Sequence, residues 1–244
     1  MSSERHGNLE TGTVVRARGG RPAALALRLT SVLLVLLGLT LAAGYVLTRA
    51  DEGDAFERVD RILVAWLADH RTQTLDRLSG PVAELGNTAV VVAVAVVAAL
   101  VGVLLWRGWR PVVLLAVALG GEVAVFLTTT ALIDRPRPPV PHLDTVLPPT
   151  SSFPSGHTAA AICLYGVIAA FVLSATRGRG RVAVVVCAVA IVLLVGAARL
   201  YRGAHYPTDL LGSLLFAVPW LVVSLWALPL RPVENRNGVG EWRA

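Results

Sequence analysis

The sequence predicts an all-α, polytopic membrane protein with six transmembrane helices and an additional interfacial amphipathic helix. Three observations carry this. Of the 244 residues, 55% are hydrophobic and only 16% are charged, against about a quarter charged in an ordinary soluble domain. Mean hydropathy is +0.66. The charges also cluster, leaving uncharged runs near the ~20 residues needed to cross a ~30 Å hydrocarbon core.

Six runs qualify: Leu29–Leu47, Ala89–Trp106, Pro111–Ile133, Thr158–Ala175, Val182–Leu200 and Pro207–Leu228. The first follows a long arginine-bearing tail. "LTRA", ending at Ala50, has the look of a cleavage site, but the tail and the apolar run are both longer than a signal peptide uses. A retained helix is expected. Residues 1–22 read as a disordered cytoplasmic tail, 23–230 as a single six-helix membrane unit, and 231–244 as a second cytoplasmic tail.

Orientation follows from arginine placement, because basic residues accumulate on the cytoplasmic side. All 22 basic residues are arginines. The N-terminal tail carries Arg5, Arg16, Arg18, Arg21 and Arg28. Arg107 and Arg110, then Arg177, Arg179 and Arg181, then Arg231, Arg236 and Arg243 occupy the other segments that six spans place on the same side. Both termini are therefore expected in the cytoplasm, in a plasma (inner) membrane. The first outer loop, Arg49 to about Asn87, is acidic at its start, with Asp51, Glu52, Asp54, Glu57 and Asp60. Its stretch "FERVDRILVAWLADHRTQTLDRL" places Phe56, Val59, Ile62, Leu63, Trp66 and Leu67 at helical spacing. This is the pattern of one helix lying in the membrane interface.

Several classes are set aside by composition. The net charge of +6 is not gathered on one basic face, so nucleic acid is not an expected partner. Cys163 and Cys187 both lie in apolar runs, which argues against a disulfide framework or a cysteine metal site. The expected partners are lipids, and no feature sets an oligomeric state.

Chemistry concentrates in three outward-facing segments. Span three ends in "TTTALIDRPRPPV", with Arg135 and Arg137; span four opens on "PSGH", with Ser155, Gly156 and His157; the last turn reads "ARLYRGAHYPTD", with Arg199, Arg202, His205 and Asp209. Arginine forks suit an oxyanion, of which phosphate is the commonest. Ser155 and Gly156 start a helix, where free N–H groups and the helix dipole bind phosphate. Pro207 suits the first position of a helix, which leaves His205 just outside it and Asp209 in its first turn. A carboxylate accepting from one ring nitrogen makes the other a better nucleophile. His157 is a candidate general acid.

The order Arg137-Pro138, "PSGH" at 154–157, then Arg199, His205 and Asp209 at spacings of five and three intervening residues resembles the type 2 phosphatidic acid phosphatase superfamily. The resemblance covers spans three to six. It implies a lipid phosphatase that needs no metal and no cofactor. His205 would attack phosphorus and form a phosphohistidine, with Asp209 orienting it and His157 protonating the leaving group. Arg137, Ser155, Gly156 and Arg199 would hold the phosphate oxygens, and Arg135 and Arg202 stand as extra phosphate contacts or as interfacial anchors. The substrate would be phosphatidate, phosphatidylglycerol phosphate or undecaprenyl diphosphate.

Two positions depart from the family pattern. The lysine that usually opens the first motif is Thr130, and the serine before the third-motif arginine is Ala198. The first departure keeps open a non-catalytic member, a transporter or scaffold. A metal-dependent enzyme using His157, His205 and Asp209 is a further alternative, although arginines crowd that site. Glu122, inside span three, reads as a polar helix–helix contact, with a proton or substrate role as the alternative. His142 and Asp144 read as loop residues.

Overall fold

A computed structural model describes residues 20–49, 55–144, 147 and 150–230. The tail expectations for residues 1–19 and 231–244, and Asp51, Glu52 and Asp54 of the acidic loop start, lie outside the described residues; residues 20–22 of the expected disordered tail belong to α1. Eight helices follow in order among those described: α1 (Gly20–Arg49), α2 (Ala55–Asp69), α3 (Gln73–Glu84), α4 (Thr88–Trp106), α5 (Arg110–Leu132), α6 (Gly156–Ala175), α7 (Gly180–Tyr201) and α8 (Pro207–Ala227). Six of them, α1 and α4 to α8, are long and apolar enough to span a membrane. Their bounds match the expected spans within a few residues, except that α1 starts well before Leu29.

The first outer loop is two helices where the sequence reading expected one. Thr72 breaks it. Its backbone is extended, and its side chain accepts from the Leu75 N–H at 3.3 Å to cap α3. On α2 the apolar stripe of Phe56, Val59, Ile62 and Trp66 faces outward. Asp60 and Val64 face the protein instead. The stripe therefore suits the bilayer interface, while the single inward carboxylate needs a partner within the fold.

Helix α6 is the hub, packing against α4, α5, α7 and α8, while α1 lies along α5 and α8. It has no single apolar stripe. Buried residues such as Ala159, Ala161, Ile162, Leu164 and Val167 occur all round it, as expected for a helix enclosed by others. One apolar cluster joins Leu36, Val125, Ile162, Phe216 and Trp220; another joins Leu114, Leu115, Leu164, Val167 and Phe171. The outward faces carry large apolar side chains, with Leu104 76% and Leu193 65% exposed, which is what a lipid solvent requires. At the end of the bundle where α7 finishes, α3 is tied to α7. The Tyr201 hydroxyl donates to Asp76 Oδ1 at 2.7 Å and accepts from the Thr72 N–H at 3.0 Å.

Phe153 fixes the segment that leads into α6. It is fully buried between α1 and α8. A Cβ at Gly44 would lie 2.9 Å from its ring, and one at Gly212 2.3 Å away. Two glycines thus admit one aromatic wedge, and the wedge sets where the "PSGH" segment begins.

Candidate active site

Three chain segments converge at one end of the bundle: the described residues between 133 and 155, the start of α6, and the α7–α8 turn. Two arginines strap the first segment down. Arg71 donates to the Pro141 carbonyl at 2.7 Å and to the Tyr201 carbonyl at 3.0 Å. Arg202 donates to the Leu143 carbonyl at 2.9 Å. Backbone bonds add to this: the Ser152 N–H reaches the Arg135 carbonyl at 2.9 Å, and the Ser155 N–H reaches the Asp209 carbonyl at 3.3 Å.

His205 stands in the turn before α8, nearly buried. Its Nδ1 lies 2.7 Å from the Ser152 carbonyl and 3.5 Å from Asp209 Oδ2. A carbonyl only accepts, so Nδ1 carries the proton and Nε2 of the neutral ring keeps its lone pair. The sequence reading gave the orienting role to Asp209 alone; the shorter contact belongs to Ser152. Burial pulls the His205 pKa below the ordinary imidazole value. Asp209 opposes that shift, and Arg199 and Arg137 reinforce it.

Asp209 sits at the third position of α8. It accepts from the Tyr206 N–H at 2.8 Å through Oδ2 and from Arg135 through Oδ1. Arg135 donates as well to Asp60 Oδ2 at 2.7 Å and to Thr208 Oγ1 at 2.8 Å. Asp60 in turn accepts from the Thr208 N–H at 3.1 Å and from its hydroxyl. Arg135 was expected as an extra phosphate contact or an anchor. The structure gives it a different place, behind Asp209, joined to two buried carboxylates and lying 4.6 Å over the Tyr206 ring.

Arg202 is likewise drawn away from any phosphate. Its Nε lies 2.6 Å from Asp144 Oδ1 and its Nη1 3.1 Å from Ser79 Oγ. Arg199 shares the same carboxylate, with Nη1 2.8 Å from Asp144 Oδ2. The Arg199 Nε is buried and has no acceptor among the described residues. A buried donor left so is a place for a ligand oxygen.

Ser155 caps α6. Its Oγ accepts from the Thr158 hydroxyl at 3.0 Å and from the Thr158 N–H at 3.5 Å, and its carbonyl accepts from Ser213 Oγ at 2.8 Å. It is fully buried and so shapes the helix start from behind. The Gly156 and His157 N–H groups belong to the first turn, which has no intrahelical acceptor for them. Two close approaches hold this turn. A Cβ on Gly156 would lie 2.8 Å from the Phe126 ring, and one on Gly86 2.6 Å from the His157 carbonyl oxygen.

Arg137, Gly156, His157, Arg199 and His205 line one cavity of about 270 Å³. Burial pulls the Arg137 pKa down, while Asp209 and Asp144 pull it back; a guanidinium stays charged through such shifts. Its Nη1 donates to the Ala204 carbonyl at 2.9 Å. The cavity continues between α4 and α5, past Val92 and Val123, whose side chains are also exposed on the outer surface of the bundle. It is therefore open sideways to lipid. Thr130, at the position of the family lysine, turns its hydroxyl back to the Phe126 and Leu127 carbonyls at 3.1 and 3.2 Å. Among the described residues no three His, Cys, Asp or Glu side chains form a metal-ligating group.

Sequence reasoning missed Ser152 and the parts played by Asp60 and Asp144. Asp60 carried one usable signal: it is an acidic residue among the apolar positions of an interfacial helix.

Comparison with known proteins agrees with this picture. The sequence is 40% identical over 83 residues to phosphatidylglycerophosphatase B of Bacillus subtilis (strain 168), a match covering 33% of this chain and 40% of that relative. The fold is similar to the crystal structure of a transmembrane PAP2-type phosphatidylglycerolphosphate phosphatase from Bacillus subtilis. That likeness has a TM-score of 0.66 at 22% identity and covers 91% of this chain and 98% of the other. It is also similar to Aquifex aeolicus LpxE, with a TM-score of 0.52 at 22% identity, over 69% of this chain and 93% of that one. The profile of the PAP2 superfamily matches residues 87–232, which contain every motif described above, and the chain belongs to that superfamily.

Proposed function

We propose that this protein is a membrane lipid phosphatase that hydrolyses a lipid phosphomonoester or diphosphate through a phosphohistidine. The observation that carries the reading is the cavity. It joins an imidazole with a fixed tautomer, two arginines and a free helix N-terminus at one end to an apolar opening between α4 and α5 at the other.

Each step uses side chains of this chain. Arg137, Arg199 and the first-turn N–H groups of α6 bind the phosphate oxygens. The Nε2 lone pair of His205 attacks phosphorus as the bond to the lipid oxygen breaks, and His157 gives that oxygen its proton. The ring, now bonded through Nε2 and still protonated on Nδ1, is cationic; the Ser152 carbonyl and Asp209 lie beside Nδ1 to stabilise it. Water then attacks phosphorus, gives a proton to His157, and frees both phosphate and the ring.

A cavity of this volume is small for a lipid. It suits the phosphate and a short stem, with the tails remaining in the bilayer. The arginine bias supports a reading with both termini in the cytoplasm and the site on the outer side of the plasma membrane. Among substrates, the names of the Bacillus relatives favour phosphatidylglycerol phosphate, a glycerolipid phosphate, over undecaprenyl diphosphate. The alternative, a transporter or scaffold of the same fold, is favoured by one observation: Thr130 supplies no charge where the family has lysine.

The test is phosphate release from a panel of lipid phosphates by purified protein. Release that the His205→Ala variant abolishes supports an enzyme. Equal, slow release by wild type and variant contradicts it.

A further inference from the structure

Glu122 lies in the middle of α5 with 2% of its surface exposed, and its side chain borders the same cavity as His157 and His205. A polar helix–helix contact was one expectation for it. Among the described residues, however, no hydrogen bond or ion pair reaches its carboxyl. Its neighbours along the cavity are Val91, Leu119, Val123 and Phe126. A carboxyl set among apolar side chains is costly unless something bonds it, and this one borders the space that a substrate fills.

Its depth says which part of a substrate it meets. Phe126 packs against Gly156, at the level of the phosphate-binding turn. Glu122 is four residues further along α5, about 6 Å nearer the bilayer centre. In a glycerolipid phosphate, the atoms that follow phosphorus by that distance are glycerol carbons bearing ester or hydroxyl oxygens. In a polyprenyl phosphate they are hydrocarbon. A carboxyl accepts hydrogen bonds in either protonation state, and as the acid it also donates. As the acid it donates to an ester oxygen of the stem, and in either form it accepts from a stem hydroxyl; a prenyl chain would bury it unpaired. Sites built to bond a substrate's polar group discriminate strongly against analogues that lack one.

We propose that Glu122 is a specificity-determining residue that hydrogen-bonds the glycerol or ester stem of a glycerolipid phosphate and selects it over a polyprenyl phosphate. This rests on the lipid phosphatase reading and names its substrate class. The pair that decides it is Glu122→Gln, which keeps the hydrogen-bonding capacity, and Glu122→Leu, which removes it.

The experiment measures kcat/KM of the full-length protein in mixed micelles for two monophosphates, phosphatidate and farnesyl phosphate. Glu122→Leu should lower kcat/KM for phosphatidate about 10–100-fold, the range expected for leaving a buried partner unbonded. It should leave farnesyl phosphate within about 3-fold, and Glu122→Gln should stay near wild type on both. Equal losses on the two lipids, or no loss on either, overturn the proposal. Wild type gives an independent reading that needs no variant: phosphatidate should exceed a long-chain alkyl phosphate without glycerol by at least about 10-fold, and equal values overturn the proposal. Folded wild type that releases phosphate from none of these lipids sinks the phosphatase reading itself, and this proposal with it. Activity retained without discrimination sinks this proposal alone.

Discussion

Arg135 bridges two buried carboxylates, Asp60 on the interfacial helix α2 and Asp209 at the start of α8, with a 2.7 Å contact to the first. The bridge links the amphipathic helix α2 to the carboxylate beside His205. Asp209 is thereby held from two directions, by Arg135 and by the Tyr206 N–H. Its acceptor geometry does not depend on substrate.

Breaking that bridge should affect turnover more than binding. Asp60→Asn keeps an acceptor for the Thr208 N–H but leaves Arg135 with one carboxylate. Removing one partner of a buried ion pair costs about 3 kcal/mol or more. The expected outcome is a loss of that size in unfolding free energy and a drop in kcat of about 10-fold, with KM within about 2-fold. A KM change as large as the kcat change would place Asp60 in substrate binding instead.

The pH dependence should carry the mark of His205. Its pKa is lowered by burial, so the ring stays neutral below the ordinary imidazole value of about 6.5. The acid limb of kcat/KM, with the substrate's own ionisation divided out, should fall below that pH. Asp209 raises the His205 pKa, so Asp209→Asn should move the limb further toward acid while lowering kcat. The stability sign agrees. A ring that is neutral when folded contributes nothing adverse above about 6.5, and stability declines as pH falls below that value, where the unfolded chain takes up the proton first.

The two glycines that meet at the first turn of α6, Gly156 within it and Gly86 packed against it from the α3–α4 turn, should differ in how they can be rescued. Gly156→Ala pushes a methyl against the Phe126 ring, and Gly86→Ala pushes one against the His157 backbone carbonyl. Displacing the phosphate-binding turn by about 1 Å is expected to lower kcat/KM about 10²-fold in both. Phe126→Leu added to Gly156→Ala should restore much of the loss, a coupling that a double-mutant cycle reads directly. No side-chain truncation can relieve a clash with backbone, so Gly86→Ala should remain impaired. Additive losses for Gly156 and Phe126 would contradict the packing described.

Much of this architecture was legible because its determinants are local. Apolar run length marks the spans, Pro207 marks the start of α8, and a serine before glycine marks the start of α6. The unread parts depend on distant pairings. Asp60 meets Arg135 across 75 residues, His205 meets Ser152 across 53, and Arg199 meets Asp144 across 55. No local periodicity encodes such contacts, so Arg135 and Arg202 read as free cations when each is tied to a carboxylate. The break between α2 and α3 was missed for a different reason. The large apolar positions stop at Leu67 and resume at Leu75, and the polar stretch between them reads as the solvated face of one helix; the extended backbone and cap at Thr72 show the chain turning.

The central claim is that His205 Nε2 becomes bonded to phosphorus. It is tested most directly by mixing purified protein with a lipid carrying radiolabelled phosphate, quenching within one turnover by denaturation at alkaline pH, and mapping the label. The account predicts a base-stable, acid-labile phosphoryl group on the peptide containing His205, absent in His205→Ala and accumulating in His157→Ala with a lipid whose leaving group needs no proton. Active wild-type protein that never carries label on His205 under these conditions would contradict it.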